Sequence, residues 1–227
     1  MEEEEGHETM ATRTLYLTPL SHFSRKVRVV LEEMRLECDF SYAPNLLSED
    51  PADFGGNPIL RVPVLKDGTN WVVESDNIVR YLLDTYDPGN DRFSFLHMTV
   101  PQRNALAFIT AVMGAEVELT LSRRSGIRPG EGEAYFHRYR EVIHNCLQWL
   151  ETEGRSTWPD TEFSYLDIAL ICMWDHLQHG RLVELQGQYP WITNRTEGHS
   201  GRQSVRDTSP ENQQELQWKL YPSQRPT

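Results

Sequence analysis

The sequence is poor in cysteine, and its cysteines are far apart. The chain of 227 residues has three of them, Cys38, Cys146 and Cys172, with no Cys-x-x-Cys pair. A disulfide framework or a cysteine-ligated zinc site would need paired or closely spaced cysteines. We therefore expect inert thiols, no disulfide and no metal.

Long apolar runs and a basic start are also lacking. No apolar stretch approaches the roughly 18 residues that can span a bilayer. The chain begins with the acidic run Glu2 to Glu5, the opposite of the basic start of a secretory signal. We expect a cytoplasmic protein that does not interact with a membrane.

Positive charge is scarce. The chain has 22 Lys and Arg against 34 Asp and Glu, a formal net charge of −12. Because proteins that bind nucleic acid neutralise phosphates with Lys and Arg, we expect no nucleic-acid partner. Hydrophobic residues at 38% and aromatic residues at 10% favour a folded protein with polar ends.

Short β-favouring runs and one amphipathic helix make up the N-terminal part. The predicted strands are Thr14–Leu17, Asp39–Tyr42, Val62–Leu65 and Trp71–Glu74, with Asp67 and Gly68 in a hairpin turn. Apolar residues at helical spacing predict a helix over Ser24–Met34, and Ser75 has the form of a cap for a second helix. Proline cannot donate to a strand ladder, so Pro63 belongs at a strand start, an edge or a turn, where a cis bond is one option.

From Val100 onwards the pattern indicates helices only. Glycine and proline between Arg123 and Glu133 predict a break, and Ser164 to Asp167 has the form of a capping box. A change from mixed elements to helices alone marks a domain boundary. We predict an α/β domain at residues 12–88, an all-helical domain at 98–210, and polar tails at 1–11 and 211–227.

A serine follows the first predicted strand, at the start of the first helix. A hydroxyl at a helix N-terminus can donate to an anion there, and stabilising a thiolate lowers the pKa of the thiol. Ser21 and Ser24 are both candidates for this role. The alternative is that either serine is simply an N-cap, a common role for serine.

Two motifs resemble a known family. Asn57-Pro58, Arg61 to Leu65 and Glu74-Ser75 resemble the glutathione-binding segment of the glutathione S-transferase superfamily. Ser21 to Arg28 resembles the Ser-Pro-Phe-x-Arg-x-Val-Arg motif of its serine-type, bacterial-like cytosolic members. The resemblance implies a thioredoxin-like N-terminal domain, an all-helical C-terminal domain and a homodimer.

The resemblance also implies roles for individual residues. Ser21 would be the catalytic thiolate donor, and the glutathione-binding residues would be Arg61 on a carboxylate, Val62 as backbone anchor, Pro63 as the shaping proline, and Glu74 with Ser75 on the γ-glutamyl end. Because clefts between domains favour ligands, we place an electrophile pocket there. Its predicted wall consists of His22, Phe108, Met113 and Glu116.

Two residues depart from the family pattern. His22 stands where the family has proline, and Leu60 replaces a glycine before Val62-Pro63. Leucine adopts positive φ less readily than glycine, so a loop that needs it would be strained. A protonated His22 beside Ser21 is hypothesised to favour the thiolate.

The predicted function is conjugation of the glutathione thiolate, as co-substrate, to a small hydrophobic electrophile, a detoxification-type transferase reaction. The alternative is a non-catalytic protein of the same fold that acts as a binding or regulatory module. A thiol-disulfide enzyme would need a cysteine at the position of Ser21, which argues against that class.

Overall fold

The computed structural model describes residues 13–89, 93, 97–127, 133–159, 162–181, 183–185 and 188–225. The predicted tail at residues 1–11 lies outside these ranges. All site residues expected from the sequence lie within them.

A mixed sheet of four strands forms the N-terminal region. The strands are β1 (Arg13–Leu17), β2 (Asp39–Tyr42), β3 (Val64–Asp67) and β4 (Asn70–Val73). Their order is β2-β1-β3-β4, with β1 parallel to β2 and the other pairs antiparallel. This confirms the predicted thioredoxin-like sheet, although β3 begins after Pro63 rather than at Val62, because proline cannot join the ladder.

Two helices pack on this sheet. Helix α1 (His22–Glu33) begins two residues earlier than predicted, since Ser21 is its N-cap. Helix α2 (Ser75–Tyr86) has Ser75 as its first residue, not as its cap. Glu74 holds the cap position with φ 70° and no side-chain bond to the helix, so the prediction of a serine cap was wrong. Both helices bury their apolar faces, through Val27, Val30, Leu31, Ile78, Val79 and Leu82.

The rest of the described chain is helical, as predicted. The helices are α3 (Val100–Arg124), α4 (Glu133–Trp149), α5 (Arg155–Thr157), α6 (Tyr165–Gly180), α7 (Pro190–Glu197), α8 (Gln203–Asp207) and α9 (Pro210–Leu220), with a π-helical turn at Leu150–Gly154 between α4 and α5. The break before Glu133 and the Ser164–Asp167 capping box of α6 are both confirmed.

Helix α3 is the one helix of the described chain that is long and apolar enough to cross a membrane, by length and composition alone. It packs against α4 and α6, and it carries the fully buried Glu116. These are the contacts of a core helix in a folded domain.

The C-terminal segment differs from the predicted polar tail. Helix α9 occupies much of residues 211–227 and packs against α6 and α8. Its buried residues are Pro210 at its start, Gln217 and, just beyond the helix, Tyr221, whereas Trp218 is half-buried and Leu220 is 37% exposed. Composition indicated a tail because the residue that α9 buries within residues 211–227 is the polar Gln217, whose amide donates to Gln224 at 2.8 Å.

Buried charges hold α1 against both regions. Arg25 is 3% exposed and donates to Asp175 of α6 at 2.8 Å and to the Val205 carbonyl of α8 at 3.0 Å. Lys26, fully buried, pairs with Asp76 of α2 at 2.5 Å. These contacts fix the N-terminus of α1, and with it Ser21, relative to the helical domain.

Candidate functional site

A cavity of about 150 Å³ opens between the sheet domain and the helical domain. The N-terminus of α1, the loop before β3 and helices α3, α6 and α9 form its walls. It is lined by Thr18, Leu20, Ser21, His22, Phe23, Leu46, Phe54, Leu60, Arg61, Val62, Gly114, Val117, Thr120, Leu121, Arg124, His176 and Gln217.

Ser21 lies at the wall of this cavity and caps α1. Its Oγ accepts a hydrogen bond from the backbone N–H of Ser24 at 3.1 Å. A hydroxyl can accept and donate at once, so the capping bond leaves its O–H available to a ligand. Ser21 can therefore serve both as the N-cap of α1 and as a hydrogen-bond donor to a ligand. Ser24 is fully buried and is not among the lining residues.

The loop at residues 57–63 forms a second wall. The Val62-Pro63 peptide bond is cis, and Val62 lines the cavity. Asn57, 1% exposed, holds the loop: its Nδ2 donates to the Arg61 carbonyl at 2.8 Å. Leu60 takes φ 57°, the positive φ that the sequence analysis identified as costly for leucine.

Glu74 and Ser75 lie beside this loop. Val64 pairs with Val73 across the hairpin, which brings the residues around Pro63 next to the start of α2. Ser75 is 3% exposed and Glu74 is exposed. Neither is among the described residues that line the cavity.

Two guanidinium groups give the cavity positive charge. Arg61 and Arg124 both line it. The Arg61 side chain is 56% exposed, and its Nη2 lies 3.4 Å from Oε1 of Glu118. Burial lowers the pKa of Arg124 from its ordinary value.

The predicted electrophile wall is only partly assembled at the cavity. His22 lines it, but Phe108 packs edge-on against Trp149 with 4.7 Å between ring centroids. Met113 and Glu116 are fully buried behind the surface. An α-helix turns by about 100° per residue, so Phe108 lies on the opposite face of α3, whereas Met113 and Glu116, each four residues before a lining residue, lie beneath the cavity face. The face towards the cavity presents Gly114, Val117, Thr120 and Leu121.

His22 is held neutral. Its pKa lies well below the usual value, because burial disfavours the charged ring and because His176 and Lys26 are close. The hydrogen bond to the Met113 carbonyl opposes this shift without reversing it. A protonated His22 that favours a thiolate is therefore not supported.

Among the lining residues that sequence analysis missed, three carry a guanidinium, imidazole or amide group. Arg124, His176 and Gln217 come from α3, α6 and α9, far from the N-terminal motifs along the chain. No local pattern marks such residues, since only tertiary packing brings them to the cavity. Asn57 was noticed within a motif, and its position directly after the Gly55-Gly56 turn was the available signal.

Comparison with known proteins gives a consistent result. Residues 15–90 match the family model "Glutathione S-transferase, N-terminal domain". A glutathione S-transferase from Methylobacillus flagellatus with glutathione bound is 27% identical, with a TM-score of 0.72, over 88% of this chain and 100% of that one. A family member from Pseudomonas fluorescens with bound glutathione is 24% identical, with a TM-score of 0.73, over 88% and 99%.

A third similar structure is a glutathione S-transferase from Methylobacterium radiotolerans in complex with glutathione sulfonate. It is 21% identical, with a TM-score of 0.72, and the match covers 88% of this chain and 95% of that one. No curated protein matches the chain.

Proposed function

The chain belongs to the glutathione S-transferase superfamily, and from that premise we propose that it binds glutathione beside Ser21 and transfers its thiolate to a small hydrophobic electrophile. The observation that carries the proposal is that Ser21 and Val62, from separate motifs, line one cavity. Apolar side chains of α3 line the same cavity and suit an apolar second substrate.

The proposed binding uses backbone and charge. The backbone of Val62, next to the cis Pro63, would pair with the cysteinyl part of glutathione, and Glu74 with Ser75 would hold the γ-glutamyl end. Glutathione carries two carboxylates, so a guanidinium of Arg61 or Arg124 would offset negative charge at the cavity.

The proposed chemistry depends on the thiolate. The Ser21 hydroxyl donates a hydrogen bond to the sulfur, and the positive end of α1 adds to the stabilisation. Both effects lower the pKa of the thiol, whose proton leaves to solvent. The thiolate then attacks the electrophilic carbon; with an aryl halide, the carbon–sulfur bond forms and halide departs with the bonding electrons.

A cysteine-based reaction is not favoured. Burial raises the pKa of both Cys38 and Cys172 to about 11, so neither is a thiolate at neutral pH. Cys146 also has a raised pKa because of burial. These are the three cysteines of the chain, and none lines the cavity.

We further propose, from the family, a cytoplasmic homodimer that acts in detoxification. The dimer is tested by light scattering of the purified protein, where a monomer at micromolar concentration would contradict it.

The function is tested by calorimetric titration of glutathione together with conjugation to an aryl halide followed by absorbance. In Ser21→Ala, binding should persist while kcat falls by roughly 10-fold or more, because the sulfur loses its hydrogen-bond donor. Thr99→Ala is the matched control, since Thr99 also caps a helix with its hydroxyl. It lies at the opposite end of α3 from the cavity, so turnover should be unchanged.

The outcomes separate the candidate functions. Binding with turnover that is lost in Ser21→Ala supports the transferase. Glutathione binding without turnover supports the non-catalytic module, which the strained Leu60 in the cavity wall favours. No binding by the wild-type protein contradicts the transferase and favours a non-catalytic module that binds protein partners.

A further inference from the structure

Three side chains from three helices converge at the floor of the cavity. They are His22 of α1, Glu116 of α3 and His176 of α6. One ring nitrogen of each histidine and one carboxylate oxygen of Glu116 lie within 4.8 Å of one another. The two imidazole rings are 4.1 Å apart between centroids, and both histidines line the cavity.

The hydrogen bonds of this cluster fix where its lone pairs lie. The Nε2 of His22 is 3.1 Å from the Met113 carbonyl oxygen, which can only accept, so Nε2 carries the proton. The Nδ1 of the same ring is then an unprotonated acceptor. Such a bond from a histidine to a backbone carbonyl is the usual way in which a metal-ligating ring is oriented.

Two hydrogen-bond acceptors of the cluster have no partner within the described residues. They are His22 Nδ1 and Glu116 Oε2, and both are buried. His176 Nδ1 contacts the other oxygen of Glu116 at 2.9 Å. His22 is 3% exposed and Glu116 is fully buried, so bulk water does not satisfy these atoms. Buried polar groups are normally satisfied, and an orphaned one calls for a proton, a water or an ion.

We propose that His22, Glu116 and His176 bind a divalent transition-metal ion of the zinc or iron(II) class at the floor of the cavity. This proposal departs from the expectation of no metal, which came from the cysteine spacing. Two imidazoles and one carboxylate form the donor set that such ions prefer. An anion is excluded because the Glu116 carboxylate would repel it.

The geometry suits an ion that remains open to the cavity. Zinc lies about 2.0 to 2.2 Å from nitrogen and oxygen ligands, so pairs of ligand atoms around one ion are roughly 3 to 4 Å apart. Because the ligand atoms lie within 4.8 Å of one another, binding draws no pair together by more than about 1 to 2 Å. Three protein ligands leave a further position for a water or a substrate atom on the cavity side, next to Ser21, as in catalytic metal sites.

The test uses the full chain without a purification tag, stripped with chelator and titrated with Zn²⁺ by calorimetry. The expected result is one ion per chain with micromolar or tighter affinity. Co²⁺ serves as a spectroscopic probe, because its visible absorption reports nitrogen and oxygen coordination. Zn²⁺ should also raise the melting temperature, since an ion that binds the folded state stabilises it.

Variants locate the ion. Glu116→Gln and His176→Gln should each weaken binding by 10-fold or more and abolish the rise in melting temperature. His176 is the more exposed of the two, with 17% of its side chain accessible, and it keeps the test usable if Glu116→Gln fails to fold. His179→Gln is the matched control: it lies on the same helix, bonded to Gln214 at 2.6 Å, and should bind as the wild type does.

Two results would overturn the proposal. Equal Zn²⁺ affinity in the wild type and in folded His176→Gln would assign the binding to other histidines or carboxylates. No binding and no rise in melting temperature would mean that a shared proton or a trapped water satisfies the orphaned acceptors. Neither result depends on whether glutathione binds.

Discussion

At the residue scale, the wall formed by the loop before β3 depends on a few polar contacts that hold an unfavourable backbone. Leu60 at φ 57° costs about 1 to 2 kcal/mol relative to an ordinary conformation. Its N–H donates to the Asn57 carbonyl at 3.0 Å, and the Asn57 side chain bonds the chain on either side of it. Local strain of this kind persists where the surroundings enforce it.

Replacing Asn57 by alanine should therefore loosen this wall. The change removes the bonds from Nδ2 to the Arg61 carbonyl at 2.8 Å and from the Ile59 N–H to Oδ1 at 3.0 Å. We expect the free energy of unfolding to fall by about 2 kcal/mol, measured by urea denaturation. Glutathione affinity should fall with it.

The control is Asn45→Ala. Asn45 also accepts from a backbone N–H two residues on, that of Leu47 at 2.9 Å, but it is exposed. A loss of no more than about 0.5 kcal/mol is expected there. Equal losses in the two variants would show that the Asn57 bonds do not hold the loop.

At the scale of elements, local signals predicted much of the structure. Strand runs, the break before α4 and the capping box of α6 depend on neighbouring residues, and these predictions were confirmed. The start of α2 was misplaced, because the unusual backbone of Glu74 is set by its tertiary surroundings and not by sequence. Helix α9 was missed because it buries only the polar Gln217 beyond its first residue, Pro210.

The capping box of α6 is also part of a buried charge cluster. Asp167 accepts from Ser164, from Trp158 Nε1 at 2.8 Å and from Arg195 Nε at 2.6 Å. Burial alone would raise the pKa of Asp167, but hydrogen bonds from His199, Arg195 and Ser164 lower it far below its ordinary value of 3.8. Stability from this carboxylate is therefore fully present above about pH 5 and is lost as the pH falls through the ordinary pKa towards the folded-state pKa.

Asp167→Asn tests this linkage. At pH 7 it should lower the free energy of unfolding by about 3 kcal/mol or more, because Arg195 loses a buried partner. The difference in unfolding free energy between the variant and the wild type, measured by urea denaturation, should shrink between pH 5 and pH 2.5. This range extends about one pH unit either side of the ordinary pKa. Asp84→Asn, at an exposed position of α2, is the control and should have little effect at any pH. A difference that stays constant with pH would contradict the lowered pKa of Asp167.

At the scale of the whole molecule, the cavity exists because two regions close on each other. Local motifs of the N-terminal domain predicted Ser21 and Val62 as site residues, and both line the cavity. They did not predict His176 or Gln217, which reach the cavity from helices more than 100 residues away along the chain. Contacts between regions depend on the packed fold, and a single sequence carries no local signal for them.

Tyr221 is one of these contacts. Its buried hydroxyl donates to the carbonyl of Ala43, at the end of β2, and burial raises its pKa to about 12, so it remains a donor. Tyr221→Phe leaves that carbonyl unpaired and should cost about 1 to 2 kcal/mol of unfolding free energy. Thermal melts measure this, with Tyr135→Phe as control, since the Tyr135 hydroxyl bonds only Tyr139 among the described residues and its side chain is 51% exposed. Equal losses of unfolding free energy in the two variants would mean that the C-terminal segment does not stabilise the sheet domain through Tyr221.

The most direct test of the proposed function is the pKa of the glutathione thiol in the complex, measured from the ultraviolet absorbance of the thiolate against pH. A donor at Ser21 predicts a pKa at least about one unit below the roughly 8.5 of a free cysteine thiol. In Ser21→Ala it should rise towards that value, while Thr99→Ala keeps the wild-type value. The same thiol pKa in wild type and Ser21→Ala, with glutathione bound to both, would contradict the account.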